Sequence, residues 1–206
     1  MTTDAELVAS ARGGSEAAFG EIVHRYQRPV LSLLLRMLRD AALAEDLTQE
    51  TFVRAWRALA TYDPTRRFAS WLFKIAHNAA IDPLRRRQPA VLALQVESDG
   101  RLDLLDTLAA AVETPAEAVS RRDLASALEG ALAALRPEYR AVILLRFREG
   151  LAYEDLAEVL ELPLGTVKTH IHRARKEMAA WLQARGYGRG SPGGPAGGET
   201  RRRRDS

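Results

Sequence analysis

An all-α protein built from two small helical domains is what this sequence predicts, and three observations predict it. Apolar residues recur at spacings of three and four, as one face of a helix requires, and strand-like alternation is hard to find. Alanine and leucine dominate a composition that is 47% apolar over 206 residues, enough for one or two domains. Between Pro89 and Val119 the periodicity degrades into isolated apolar residues, acids, Gly100 and Pro115, the pattern of a linker that holds a helical turn at most.

The elements follow in order. Asp4 is placed to cap a short first helix ending near Gly13 and Gly14, and Ser15 to cap a second over Glu16 to Gln27. Pro29 suits the first turn of a helix, so a fresh start toward Leu38 is expected there. A third helix spans about Ala41 to Leu59, with Leu43, Leu47 and Ala55 on one face and Asp46, Gln49 and Glu50 exposed. The turn-forming Tyr62-Asp63-Pro64-Thr65 breaks it, and Phe68 to Ile81 resumes helical spacing through Trp71, Leu72, Ile75 and Ala79. Asp82-Pro83 removes a backbone donor and disfavours helical geometry at Asp82, which leaves Arg85, Arg86 and Arg87 unplaced. Residues 4–88 thus make the first domain, 89–119 the linker and 120–185 the second domain.

The second domain opens near Asp123, where Leu124, Leu128, Leu132 and Leu135 line one face. Pro137 fits the first turn of the next helix, and Gly150 ends it. Ala152 to Leu160, a turn at Glu161-Leu162-Pro163, and a long helix from Leu164 to about Leu182 make a helix-turn-helix. Residues 186–206, with seven of the chain's 14 glycines and two prolines, cannot bury a core and read as a disordered Gly/Arg tail.

Charge is distributed unevenly. The tail's five arginines outnumber Glu199 and Asp205 by three, which is the chain's whole net charge of +3. Any nucleic-acid reading therefore rests on local clusters: Arg85 to Arg87, and Thr166 to Lys176, which holds four cations and no acid. Pro89 to Val119 runs the other way, with six acids against Arg101. Without cysteine there is no disulfide framework, cysteine-ligated zinc or thiol nucleophile, which fits a cytoplasmic setting. Asp4 and Glu6 stand where a signal peptide would be basic, and no apolar run approaches the roughly 18 residues of a membrane span, so no membrane insertion is expected.

Three surfaces carry chemistry. In the last long helix Val167, Ile171, Ala174 and Met178 share a face that can pack on Leu156 and Leu160. The other face presents Thr166, Lys168, Thr169, His172, Arg173 and Lys176, short polar and cationic groups suited to base edges and phosphates in a major groove. Residues at its start enter deepest, which favours Lys168, Thr169 and His172 as base readers, with Arg175 and Lys176 holding phosphates. Asp46, Gln49 and Glu50 form an acidic face beside Phe52 and Trp56, which either belong to the core or offer a protein partner buried hot spots beside complementary charge. Tyr62, Phe68 and Trp71 lie close to Arg66, Arg67, Lys74, His77 and Asn78; stacking rings among cations suit single-stranded DNA, while Phe68 and Trp71 equally suit the core. No glycine-rich phosphate loop, nucleophile motif or metal-spaced ligand set appears, so neither a cofactor nor catalysis is expected.

Four segments, in this order, resemble the sigma-70 family of bacterial transcription initiation factors, of the two-domain extracytoplasmic-function (ECF) type. They are Asp46 to Phe52 (DLTQETF), Phe68 to Asn78 (FASWLFKIAHN), Leu135 to Arg140 (LRPEYR) and Gly165 to Arg175 (GTVKTHIHRAR). The resemblance implies that Asp46, Gln49, Glu50, Phe52 and Trp56 dock on the beta-prime clamp helices of core RNA polymerase, the beta flap being a further contact. It implies that the loop 61–67 and the following helix, through Tyr62, Arg66, Arg67, Phe68, Trp71, Lys74 and Asn78, trap a flipped base and hold the melted strand of the minus-ten element. Thr166, Lys168, Thr169, His172, Arg173, Arg175 and Lys176 would meet the minus-thirty-five element as duplex. The acidic linker would thread toward the RNA exit path, and an anti-sigma protein covering both domains is an expected partner. Two other readings use fewer of these features: a stand-alone helix-turn-helix regulator explains only Gly150 to Lys176, and a DNA-processing enzyme would need Asp46 and Glu50 to hold magnesium.

Overall fold

A computed structural model describes residues 2–87 and 115–187; the expected linker and tail lie largely outside them. Among the described residues no strand forms. The order is α1 (Asp4–Arg12), α2 (Glu16–Leu38), α3 (Ala41–Ala58), a 3₁₀ turn (Leu59–Thr61) and α4 (Phe68–Arg87). After the undescribed stretch come α5 (Pro115–Ala134), α6 (Pro137–Ile143), a π-helical segment (Leu144–Arg148), α7 (Tyr153–Leu160) and α8 (Leu164–Gln183).

Local signals set most boundaries. Ser15 caps α2 by accepting from Ala18 N–H, and Asp40 caps α3 by accepting from Leu43 N–H. The cap of α1 is Thr3, not the expected Asp4: Thr3 and Glu6 form a capping box, which frees the Asp4 carboxylate to take Arg25 and the Tyr26 hydroxyl. Pro137 occupies the first turn of α6, and Gly150, at φ +68°, turns the chain out of the π-helical segment. The π-helical widening has no counterpart in the sequence expectation. Glu161 takes the left-handed geometry, φ 55°, that ends α7 and sets the tight turn into α8.

Two prolines expected to divide helices do not. α2 runs unbroken through Pro29 and α4 through Pro83. An interior proline costs about 3 kcal/mol, and burial outweighs it. Val30, Leu33, Leu34 and Met37 of α2 lose essentially all solvent contact, and each such side chain contributes about 1.5–3 kcal/mol. In α4, Leu84 packs on the core just after Pro83, so the helix continues and carries Arg85 and Arg86 exposed on its last turn. α5 likewise starts at Pro115, earlier than the expected opening near Asp123.

One apolar cluster runs through both halves of the chain, from Leu7 and Ile22 through Phe73 and Ala76 to Leu156, Val167 and Ala174. α4 lies against α7, and α2 touches α6. Arg140 of α6 is buried at this junction. Its guanidinium donates to the Leu132, Ala133 and Leu135 carbonyls at the end of α5 and to the Arg36 and Met37 carbonyls at the end of α2, at 2.8–3.3 Å. Those carbonyls include ones that a helix C-terminus leaves without partners, where a cation also meets the negative end of the dipole. Arg36 reaches across to Glu129 of α5 at 2.7 Å. α5 packs on α8 at Gly130, where an added Cβ would stand 2.6 Å from the Trp181 ring.

Candidate nucleic-acid and partner surfaces

The first surface lies on α3. Its buried side, with Ala44, Leu47, Thr51 and Ala55, fixes the helix, and the Thr48 and Thr51 hydroxyls donate back to the Ala44 and Leu47 carbonyls. Asp46, Gln49 and Glu50 therefore face outward, and Glu50 pairs with Arg54 at 2.6 Å. Trp56 stays 40% exposed and Val53 47%. Phe19 of α2 approaches the Trp56 ring to 4.8 Å, and a groove of about 460 Å³ opens between Glu16, Phe19, Phe52, Val53, Trp56 and Arg57. Phe52 lines the same groove but is only 7% exposed. Exposed tryptophan and valine beside carboxylates are the kinds of group that protein interfaces use.

The second surface is built by the 3₁₀ turn, loop 62–67 and the first turns of α4. The Asp63 carboxylate accepts from Thr65 N–H and its hydroxyl, which folds the loop on itself and holds the Asp63 carboxyl below the usual range. Tyr62, Phe68 and Trp71 form a ring cluster with centroids 5.2–5.5 Å apart, Tyr62 edge-on to Phe68 and the other two pairs tilted. Phe68 takes the core alternative left open for it, and Tyr62, expected as a stacking ring, is buried as well. Tyr62 is 5% and Phe68 4% exposed, the Tyr62 hydroxyl donates to the Arg66 carbonyl, and burial raises its pKa. They shape the loop from inside, while the partly exposed Trp71 is the ring that reaches the surface. A cavity of about 400 Å³ opens there, lined by Thr61, Asp63, Arg66, Trp71, Lys74, Ile75 and Asn78 of the first half and Glu158 of α7. His77 is buried beneath, and burial lowers its pKa. Arg66 and Arg67 are exposed beside the cavity.

The third surface is α8. Val167, Ile171 and Ala174 are buried and Met178 packs on the same core, so the helix is held by the face the spacing predicts. Lys168 and Lys176 are exposed, and Thr166, Thr169, His172 and Arg173 are partly so. The Thr169 hydroxyl donates to the Gly165 carbonyl at 2.9 Å. Arg175 sits with its guanidinium 6.0 Å over the exposed Phe147 ring, an orientation the sequence does not reveal. His170 turns inward against Tyr139, at 5.1 Å, and burial lowers its pKa.

Three groups of residues at these surfaces carry no local sequence signal of their role. Phe19, Arg140 and the α7 carboxylates Asp155, Glu158 and Glu161 matter only because distant segments meet. Among the described residues no cluster of His, Asp and Glu suited to a metal ion forms, and no helix is long and apolar enough to cross a membrane.

Comparison with known proteins places the two halves. The family described as Sigma-70 region 2 matches residues 22–90, and Sigma-70, region 4 matches residues 125–178. The chain is 33% identical to the ECF RNA polymerase sigma factor SigW of Bacillus subtilis (strain 168) over 85% of its own length and 95% of that protein's. It is 35% identical to the RNA polymerase sigma-H factor of Pseudomonas aeruginosa (strain PAO1), over 87% of this chain and 94% of that one. Among solved structures, CnrH in complex with the cytosolic domain of CnrY is similar at a TM-score of 0.63 and 29% identity, over 88% of this chain and 97% of that one.

Proposed function

This chain belongs to the extracytoplasmic-function branch of the sigma-70 family, and from that premise we propose how its surfaces divide the work of promoter-specific initiation. It is an initiation factor that binds core RNA polymerase and directs it to promoters. In this reading residues 4–88 hold both the polymerase-docking surface and the strand site, and residues 120–185 read duplex DNA. Asp46, Gln49, Glu50 and Trp56 dock on the beta-prime clamp helices, and Phe52 lines the groove beside Trp56. Arg66, Arg67, Lys74 and Asn78 surround the cavity that takes a base flipped from the minus-ten element, and Trp71 offers it a ring. Arg85 and Arg86, carried on α4 through Pro83, extend the same cationic run.

Lys168, Thr169, His172 and Arg173 read the minus-thirty-five element from α8, and Arg175 and Lys176 hold phosphates. Melting is driven by binding alone: capture of the extruded base offsets an unstacking cost of a few kcal/mol. The chain makes and breaks no covalent bond in this scheme and works in the cytoplasm, where its polymerase is. An anti-sigma protein is the partner of the free chain in this reading.

The observation that carries this reading is the coexistence, in one chain, of an exposed tryptophan beside carboxylates, a cation-lined cavity behind a ring cluster, and a cationic recognition helix. A stand-alone regulator needs only the last. Lys168→Ala and Arg173→Ala are each expected to lower discrimination at the upstream element by about 1–3 kcal/mol, roughly fivefold to 150-fold, without weakening the complex with core polymerase. Footprinting of the holoenzyme on promoter variants, alongside core-binding titrations, reads both effects. Equal loss in the two assays would refute the division of roles.

A further inference from the structure

The cations of the strand site are already occupied, and by the other half of the chain. Arg66 pairs with Glu158 of α7, and Lys74 with Glu161 at the end of α7, Nζ to Oε1 2.9 Å. Arg67 lies 4.0 Å from the Asp155 carboxylate and donates to the Gly150 carbonyl at 3.3 Å. Glu158 also forms part of the wall of the 400 Å³ cavity. Two acids on α7 and a third at its C-cap thus sit on three cations of the strand site, in the manner of three phosphates. The Lys74 ammonium holds the Glu161 carboxyl below its usual range, as expected for a carboxylate that keeps its charge against a partner.

On the opposite side of the junction the closed arrangement is held by groups that meet no proposed DNA contact: Arg140 on the end of α2, and Arg36 on Glu129. Closure therefore has an anchoring zone and a covering zone, and the covering zone coincides with the strand site.

We propose that the free chain is autoinhibited, with the α7 carboxylates Glu158 and Glu161 standing in for DNA on Arg66 and Lys74, so that single-strand binding and domain closure exclude each other. This rests on the strand-site reading given above. A melted strand can reach the cavity only after α7 leaves α4, and apparent affinity is reduced by the fraction of molecules that are closed. Binding partners that separate the two halves open the site, and a partner that clasps both halves keeps it shut.

The test uses the full chain carrying Glu158→Gln and Glu161→Gln together, which removes both charges and keeps the side-chain shape. Asp155 is left in place because it accepts from Ala152 N–H at the start of α7. Two quantities are read: the radius of gyration by small-angle scattering, and binding of a fluorescein-labelled oligodeoxythymidine of twenty nucleotides by anisotropy at low salt. The double variant is expected to shift to a larger radius of gyration and to bind the oligonucleotide about fivefold more tightly, the size expected for losing two exposed ion pairs.

Lys74→Ala in the same background reports on the strand site itself and is expected to reverse the gain. Tighter binding with no expansion would mean simple loss of repulsion and would overturn the proposal. Expansion without tighter binding, while Lys74→Ala still weakens binding, would leave the strand site standing and overturn the gating. If neither Lys74→Ala nor Arg66→Ala alters oligonucleotide binding, the strand-site reading falls and takes the proposal with it.

Discussion

Arg140→Ala is expected to lower stability by about 3–5 kcal/mol, more than any surface change discussed here, because it leaves several buried helix-end carbonyls without their donor. The guanidinium is the only described group that donates to the ends of both α2 and α5. Its five donated bonds come from three nitrogens, a geometry that a planar fork of donors provides and an ammonium does not. Arg140→Lys should therefore recover only part of the loss. Urea unfolding followed by circular dichroism reads both variants, and a midpoint for Arg140→Ala close to that of the parent chain would show that the carbonyls find water at little cost. The effect should concentrate in the second half, whose α5 end loses three of the five bonds.

Trp56→Ala is expected to weaken binding to core RNA polymerase by about 2–4 kcal/mol, thirtyfold or more, with little change in stability. The ring is 40% exposed and braced on one side by Phe19, so it is presented outward on a rigid support. Aromatic anchors held in this way dominate interfaces because they bury large area with few torsions to freeze. The carboxylates of Asp46 and Glu50 then contribute chiefly to association rate and its salt dependence. Titration of labelled chain with purified core polymerase decides the matter, and an unchanged dissociation constant would remove Trp56 from the docking surface.

How much of this was legible beforehand follows from where each signal resides. Caps, turns and helix periods are encoded within a few residues, so Ser15, Pro137, the Asp63 turn and the buried face of α8 read correctly from spacing and residue type. Pro29 and Pro83 did not, because local proline propensity competes with burial that only the packed chain supplies at Leu33, Leu34 and Leu84. The face an aromatic takes is legible, but its depth is not: Phe52, Tyr62 and Phe68 went inward while Trp56 and Trp71 stayed at the surface. Contacts between segments eighty or more residues apart have no periodic trace at all. Arg66 with Glu158, Lys74 with Glu161 and Arg140 with Met37 became visible only in the folded chain, although all six residues stand in plain sight in the sequence.

The measurement that tests the account most directly is run-off transcription with purified bacterial core polymerase on a pooled library of promoter fragments, with and without this chain. Discrete new transcripts are expected that disappear when Asp46 and Glu50 are both changed to alanine and that share an upstream and a downstream sequence element. No transcript from any fragment, together with a shift of duplex DNA by the chain alone, would contradict it and assign the helix-turn-helix to a regulator that acts without polymerase.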